Sequence, residues 1–126
     1  MPRVIGIGGV FFKSDDPARL YAWYAKHLGI EARPNEGGAF LWRHADDPSK
    51  EETTVWSIFP STTKYFGQSR LGCMLNYIVE DLDGLLRQLR AEGVAVDERV
   101  EEADYGKFGW ITDPDGNRIE LWEPKR

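Results

Sequence analysis

Two stretches of the chain carry apolar residues at helical spacing, and both are bracketed by the same punctuation. In the first, Leu20, Trp23, Tyr24 and Leu28 fall on one face of a helix. Asp16 precedes it as an N-cap, and Pro17 takes the first helical position, where a missing N–H costs no hydrogen bond. Gly29 supplies the stop. In the second, Leu82, Leu85, Leu86 and Leu89 form the stripe, with Asp81 as cap and Gly93 as stop. An extended run precedes each helix, at residues 4–13 and 73–80. Short extended pieces follow each one, at 30–33, 39–43 and 53–59 in the first half and at 94–98, 108–112 and 118–123 in the second. Asp113-Pro114-Asp115-Gly116 marks a turn between the last two.

The predicted order is therefore β-α-β-β-β, twice. The halves share punctuation rather than sequence, which makes this an internal repeat of architecture. The class is α+β, a single domain over residues 1–126, with modules at about 1–60 and 72–126 joined by a linker at 61–71. Residues 45–52 are polar and read as a loop. The segment 60–71 admits two readings: a solvated linker, or, because of Tyr65-Phe66, a strap folded over something apolar.

Composition narrows the function. At 126 residues the chain supports one core. Five Trp, five Tyr and six Phe are enough to line a core and a pocket as well. A net charge of -5 argues against nucleic acid as a partner, since phosphate binding needs a basic surface. Cys73 is the one cysteine, so no internal disulfide forms, which fits a reducing cytoplasm. No apolar run approaches the roughly 20 residues of a membrane helix, and Met1-Pro2-Arg3-Val4 begins no long apolar leader. The expectation is a cytoplasmic protein with no membrane partner.

The repeated order, the helix element DDPARLYAWYAKHLGI and the C-terminal WITDPDGNRIELWEP together resemble the vicinal oxygen chelate superfamily of glyoxalases, bleomycin-resistance proteins and extradiol dioxygenases. The resemblance spans nearly the whole chain. It implies a curled mixed sheet forming an open cup, helices on the convex side, a ligand and usually a divalent metal in the cup, and commonly a homodimer. It also assigns strand faces. Gly9 and Phe11, then Met74, Asn76 and Ile78, then Arg118, Glu120 and Trp122 face the cup. Val10, Phe12, Leu75, Tyr77, Val79, Ile119 and Leu121 face the other way. A slip of one residue would invert each assignment.

The family's metal comes from four strands, typically through His or Glu. Here the first-strand position aligns with Gly9 and the fifth-strand position with Met74, residues 53–59 contain no acid or His, and Glu120 alone keeps a ligand. Asn76 adds one oxygen, which leaves a poor cage. His27 reads as a favourable charge at a helix C-terminus and His44 as a surface residue. No metal and no other cofactor is expected at the usual place; a divalent ion stays open only if the ligands lie elsewhere.

The expected cup is aromatic, with Phe11, Trp42, Trp56, Met74, Asn76, Tyr105, Arg118 and Trp122 as ligand-binding candidates and Glu120 as the catalytic candidate. Desolvation in such a cup would raise the pKa of Glu120 and suit it to general-base work; alternatively it pairs with an Arg and is structural. Two functions follow. One is a binding module that captures a small organic molecule, as drug-sequestering members of the family do. The other is a glyoxalase-like lyase, isomerase or dioxygenase acting on vicinal oxygens, with Glu120 as metal ligand or base.

Overall fold

The computed structural model describes residues 3–34, 36–69 and 71–125. Met1, Pro2 and, within the linker, Arg70 lie outside the described residues. The elements run β1 (Val4–Ser14), α1 (Pro17–Leu28), β2 (Gly38–Arg43), β3 (Glu51–Pro60), β4 (Cys73–Val79), α2 (Leu82–Ala91), β5 (Ala95–Ala103), β6 (Gly106–Thr112) and β7 (Arg118–Pro124).

Both helices begin where the Asp caps place them. The Asp16 side chain accepts from the Arg19 N–H, and Asp81 accepts from the Gly84 N–H. Gly29 takes a left-handed φ of 69°, which lets its N–H return to Ala25 and close α1. Between β6 and β7, the Asp113 carboxylate accepts from the N–H groups of Asp115 and Asn117, the Asx chemistry that makes this turn tight.

One seven-stranded mixed sheet forms in the order β2-β3-β1-β4-β7-β6-β5. In each module the first strand pairs in parallel with the last, β1 with β3 and β4 with β7. The modules meet through the antiparallel β1–β4 pair at the centre. The sheet does not close, so β2 and β5 are its edges.

The first module departs from the predicted pattern. Residues 30–33 form no strand; one isolated bridge, Arg33 to Gly37, stands where a fourth strand was expected. Pro34 follows this short run and has no N–H to extend a ladder. The predicted 53–59 strand is longer, beginning at Glu51.

The helices cover one sheet face. Leu82, Leu85 and Leu86 of α2 bury against Val79 and Leu121, with Tyr77, Ile111 and Ile119 around them. On α1 only Tyr21 is fully buried. Its hydroxyl accepts from the Ile58 N–H at 2.8 Å, and the rings of Phe12, Tyr24 and Trp56 meet edge-on beside it. The opposite face holds a second cluster built from Phe11, Phe66 and Met74.

Candidate functional site

The face away from the helices encloses a cavity of about 410 Å³. A row of residues in register crosses it. Val55 lies opposite Gly9, Gly9 opposite Asn76, Asn76 opposite Glu120, and Glu120 opposite Trp110. Residues directly opposed on neighbouring strands share a face, so this row brings β3, β1, β4, β7 and β6 to one floor. Gly8 also lines the cavity, because β1 is irregular between Ile7 and Gly9 and the strand bulges there.

Glu120 is buried in that floor, 2% exposed. Three donors converge on its carboxylate. The Asn76 amide donates to Oε1 at 2.6 Å, the Trp110 indole donates to Oε2 at 3.0 Å, and the Tyr65 hydroxyl donates to Oε2 as well. Tyr65 comes from the linker, which thus folds over the cup as a strap rather than running through solvent. Burial, followed by the charge of Glu120 and the hydrogen bond to it, pushes the Tyr65 hydroxyl far above the ordinary tyrosine value. It remains a donor at neutral pH. The amide of Asn76 is oriented by the carboxylate, since only its nitrogen can donate there. Its Oδ1 is buried beside Gly8 and has no partner among the described residues.

Two parallel aromatic pairs line the cavity. Phe59 and Tyr65 stack at 5.6 Å between centroids with 5° between planes. Phe108 and Trp122 stack at 5.9 Å and 3°. Phe11 meets Phe59 edge-on, and Tyr105 meets Phe108 in the same way. Glu36 and Glu101 complete the charged lining.

The structure brings Phe11, Asn76, Tyr105, Glu120 and Trp122 together at the cavity. Met74 lies buried next to them, packed with Phe11 and Phe66. Arg118 is on the strand that carries Glu120 but does not pair with it. It reaches Asp97 at 3.3 Å, and its guanidinium lies 5.3 Å from the centre of the Trp110 ring. Asp97 is held below the usual carboxylate range, first by the Arg99 N–H and then by Arg118.

Trp42 and Trp56 are elsewhere, and their expected place in the cup is corrected. Trp56 faces the helices, and Trp42 is not among the residues that line the cavity. Trp56 packs against Phe12, Tyr21 and Tyr24. Trp42 lies over Gly6, where any Cβ would collide with its ring, and donates to the Thr54 hydroxyl at 2.8 Å. The cup positions of β3 are instead Val55, Ser57 and Phe59. His44 also lies off the cavity, 2.8 Å from the buried Glu52 and stacked on Trp42. His27 is exposed against Trp23 in the last turn of α1.

Tyr65 and Trp110 hold Glu120 and are residues that the strand-by-strand reading does not pick out. A signal existed for both. Tyr65 stands in an aromatic pair inside a polar linker, and Trp110 sits in the strand run that precedes the Asp113–Gly116 turn.

The donor set does not fit the divalent ion that the resemblance implies. Gly9 offers no side chain, Met74 is enclosed by Phe11 and Phe66, and β3 contributes Val55 and Ser57. Glu120 already accepts from three protein donors, which leaves about one lone-pair site. An open metal site needs about three protein ligands. Among the described residues, no group of three or more His, Cys, Asp or Glu is placed to hold an ion.

No curated protein matches the sequence. Among solved structures, the methylmalonyl-CoA epimerase of Mycobacterium tuberculosis is 24% identical, with a TM-score of 0.63 over 98% of this chain and 90% of its own. A variant of the Streptomyces coelicolor methylmalonyl-CoA epimerase, in complex with 2-nitronate-propionyl-CoA, is 13% identical with a TM-score of 0.71, over 98% and 100%. A Legionella pneumophila protein described as NAD-dependent benzaldehyde dehydrogenase is 17% identical with a TM-score of 0.56, over 93% and 98%. These likenesses show a shared fold. The sequence profile of the Glyoxalase/Bleomycin resistance protein/Dioxygenase superfamily matches residues 6–121, nearly the whole two-module sheet, and the chain belongs to that superfamily.

Proposed function

We propose that this protein binds a small organic molecule in the cup without a divalent metal. One observation carries the reading: a carboxylate fixed by three donors lies in the floor of a cavity that two parallel aromatic pairs line. A volume of about 410 Å³ falls within the range of small-molecule sites. The aromatic faces supply contact area, and Glu120 with Asn76 fixes orientation.

The second reading is a lyase, isomerase or dioxygenase acting on vicinal oxygens, with Glu120 as base. Its support is that Glu120 lines the cavity. Against it, three protein donors already hold Glu120 and leave it about one lone-pair site for a proton. We also expect a homodimer, which light scattering tests directly; a monomer at micromolar concentration would remove that expectation.

A thermal-shift screen separates the readings. It should include 2-nitronate-propionyl-CoA, the compound bound by the Streptomyces relative. A true ligand at a hundred times its dissociation constant adds about 2.7 kcal/mol of apparent stability. Titration with Zn²⁺, Ni²⁺, Mn²⁺ and Fe²⁺ is the counter-test. Stoichiometric metal that is lost in Glu120→Ala would sink the metal-free reading.

A further inference from the structure

We infer that the cup selects a cation attached to a planar aromatic ring, an arylalkyl ammonium or an amidinium; the inference rests on the cup being the ligand site. Three independent features of the same cavity point to that class.

The first is charge. Among the described residues lining the cavity there are three carboxylates, Glu36, Glu101 and Glu120, and no Lys, Arg or His. The cations nearby are engaged elsewhere. Arg99 pairs with Glu101, Arg118 pairs with Asp97, and both guanidiniums lie over the Trp110 ring. Lys13 lies over the ring of Phe66. A carboxylate or phosphate entering the cup would meet like charge and no cationic side chain among the described lining residues.

The second is the balance of donors and acceptors. The hydroxyl of Tyr65, the indole of Trp110 and an amide N–H of Asn76 are all spent on Glu120. On Glu120 and Asn76, what remains is acceptor capacity. Asn76 Oδ1 is buried, 2% exposed as a residue, and unpartnered among the described residues. A carboxylate has about four lone-pair sites, and Glu120 uses three. The Glu120–Asn76 pair therefore asks for a ligand that donates, while the hydroxyls of Ser57 and Tyr105 in the lining can donate or accept and set no preference.

The third is shape and polarisation. Aromatic faces are negative, and they attract cations as well as flat rings. Glu101 is in register with Phe108, and Phe108 with Trp122. A ring laid on that stacked wall would hold its cationic arm between Glu101 and the Glu120–Asn76 floor. The Arg99–Glu101 pair is no obstacle. Its side chains are 66% and 40% exposed, and an exposed ion pair is weak enough for a ligand cation to replace.

The test uses one ring with three charges: 1-naphthylmethylammonium, 1-naphthalenemethanol and 1-naphthoate, titrated calorimetrically into the intact protein at neutral pH and low salt. The ammonium compound should bind at least about tenfold more tightly than the alcohol, with naphthoate the weakest. Added salt should weaken the ammonium compound alone, because screening acts on its charge. Glu101→Gln should lower ammonium affinity severalfold and leave the alcohol unchanged. If Glu101→Gln misfolds, the salt dependence of the native protein decides alone. Alcohol or naphthoate binding as tightly as the ammonium compound overturns the inference and leaves the cup as a binding site. If none of the three binds at millimolar concentration, the inference falls together with the binding reading.

Discussion

The two modules repeat one strand–helix order but distribute their aromatic and polar residues in opposite ways. In the first, Phe12, Tyr21, Tyr24 and Trp56 gather under α1, and Trp42 lies over Gly6, outside the cavity lining. The cup side of β3 is left with Val55, Ser57 and Phe59. In the second, leucines do the packing under α2, and the large aromatics Phe108, Trp110 and Trp122 are freed to face the cup. Asn76, Glu101 and Glu120 come from the same module. The lesson is a division of labour. A helix that packs through leucines leaves a strand's aromatics available for a ligand, whereas a helix that packs through rings consumes them.

The largest expected effect lies in the leucine-packed half. Leu86→Ala removes a side chain buried between α2 and the sheet and should cost about 2–5 kcal/mol in a denaturant titration. The last leucine of α1, Leu28, is exposed, and Leu28→Ala should change stability by less than about 0.5 kcal/mol. Similar losses at the two sites would erase the contrast between the helices.

An intermediate effect belongs to the ring-packed half. Tyr21→Phe keeps the ring but leaves the Ile58 N–H without its acceptor in a buried setting, which should cost about 1–3 kcal/mol. A neutral substitution would mean that water replaces the hydroxyl and that α1 is held more loosely than its ring cluster implies.

The smallest effect is a pH dependence. The Tyr65 hydroxyl titrates above its ordinary value of 10.0 in the folded protein, so the folded state holds the proton more tightly than the unfolded chain. That contribution is fully present below about pH 10 and is lost as pH rises beyond it. The stability difference between the native protein and Tyr65→Phe should therefore shrink as pH climbs past 10, in parallel unfolding titrations. A constant difference would mean that the strap does not bury Tyr65 against Glu120.

Much of this layout is legible in the sequence. The caps at Asp16 and Asp81, the Asp113–Gly116 turn and the repeated order define a two-module sheet. The faces of β4 and β7 were also legible, because Leu75, Tyr77, Val79, Ile119 and Leu121 supply a plausible helix side. In β3 the same logic fails. Val55, Ser57 and Phe59 alternate with Trp56 and Ile58, so both faces look apolar and period-two patterning cannot say which one meets the helix. Trp42 depends on Gly6, a partner two strands away that no local pattern reveals. The floor around Glu120 was legible only in part. The carboxylate and Asn76 are on strands of known parity, but the donor from Tyr65 arrives on a linker whose path depends on burying Phe66.

Five tryptophans make the division between the two faces directly measurable. The proton–nitrogen NMR spectrum of the protein resolves one indole signal for each, assignable by single Trp→Phe variants. Titration with the tightest member of the naphthalene series should shift Trp122, which lines the cavity, and Trp110, which is bonded to Glu120. The signals of Trp42 and Trp56 should stay in place. Shifts at Trp56 with Trp110 and Trp122 unmoved would put the ligand on the helix side of the sheet and contradict the account.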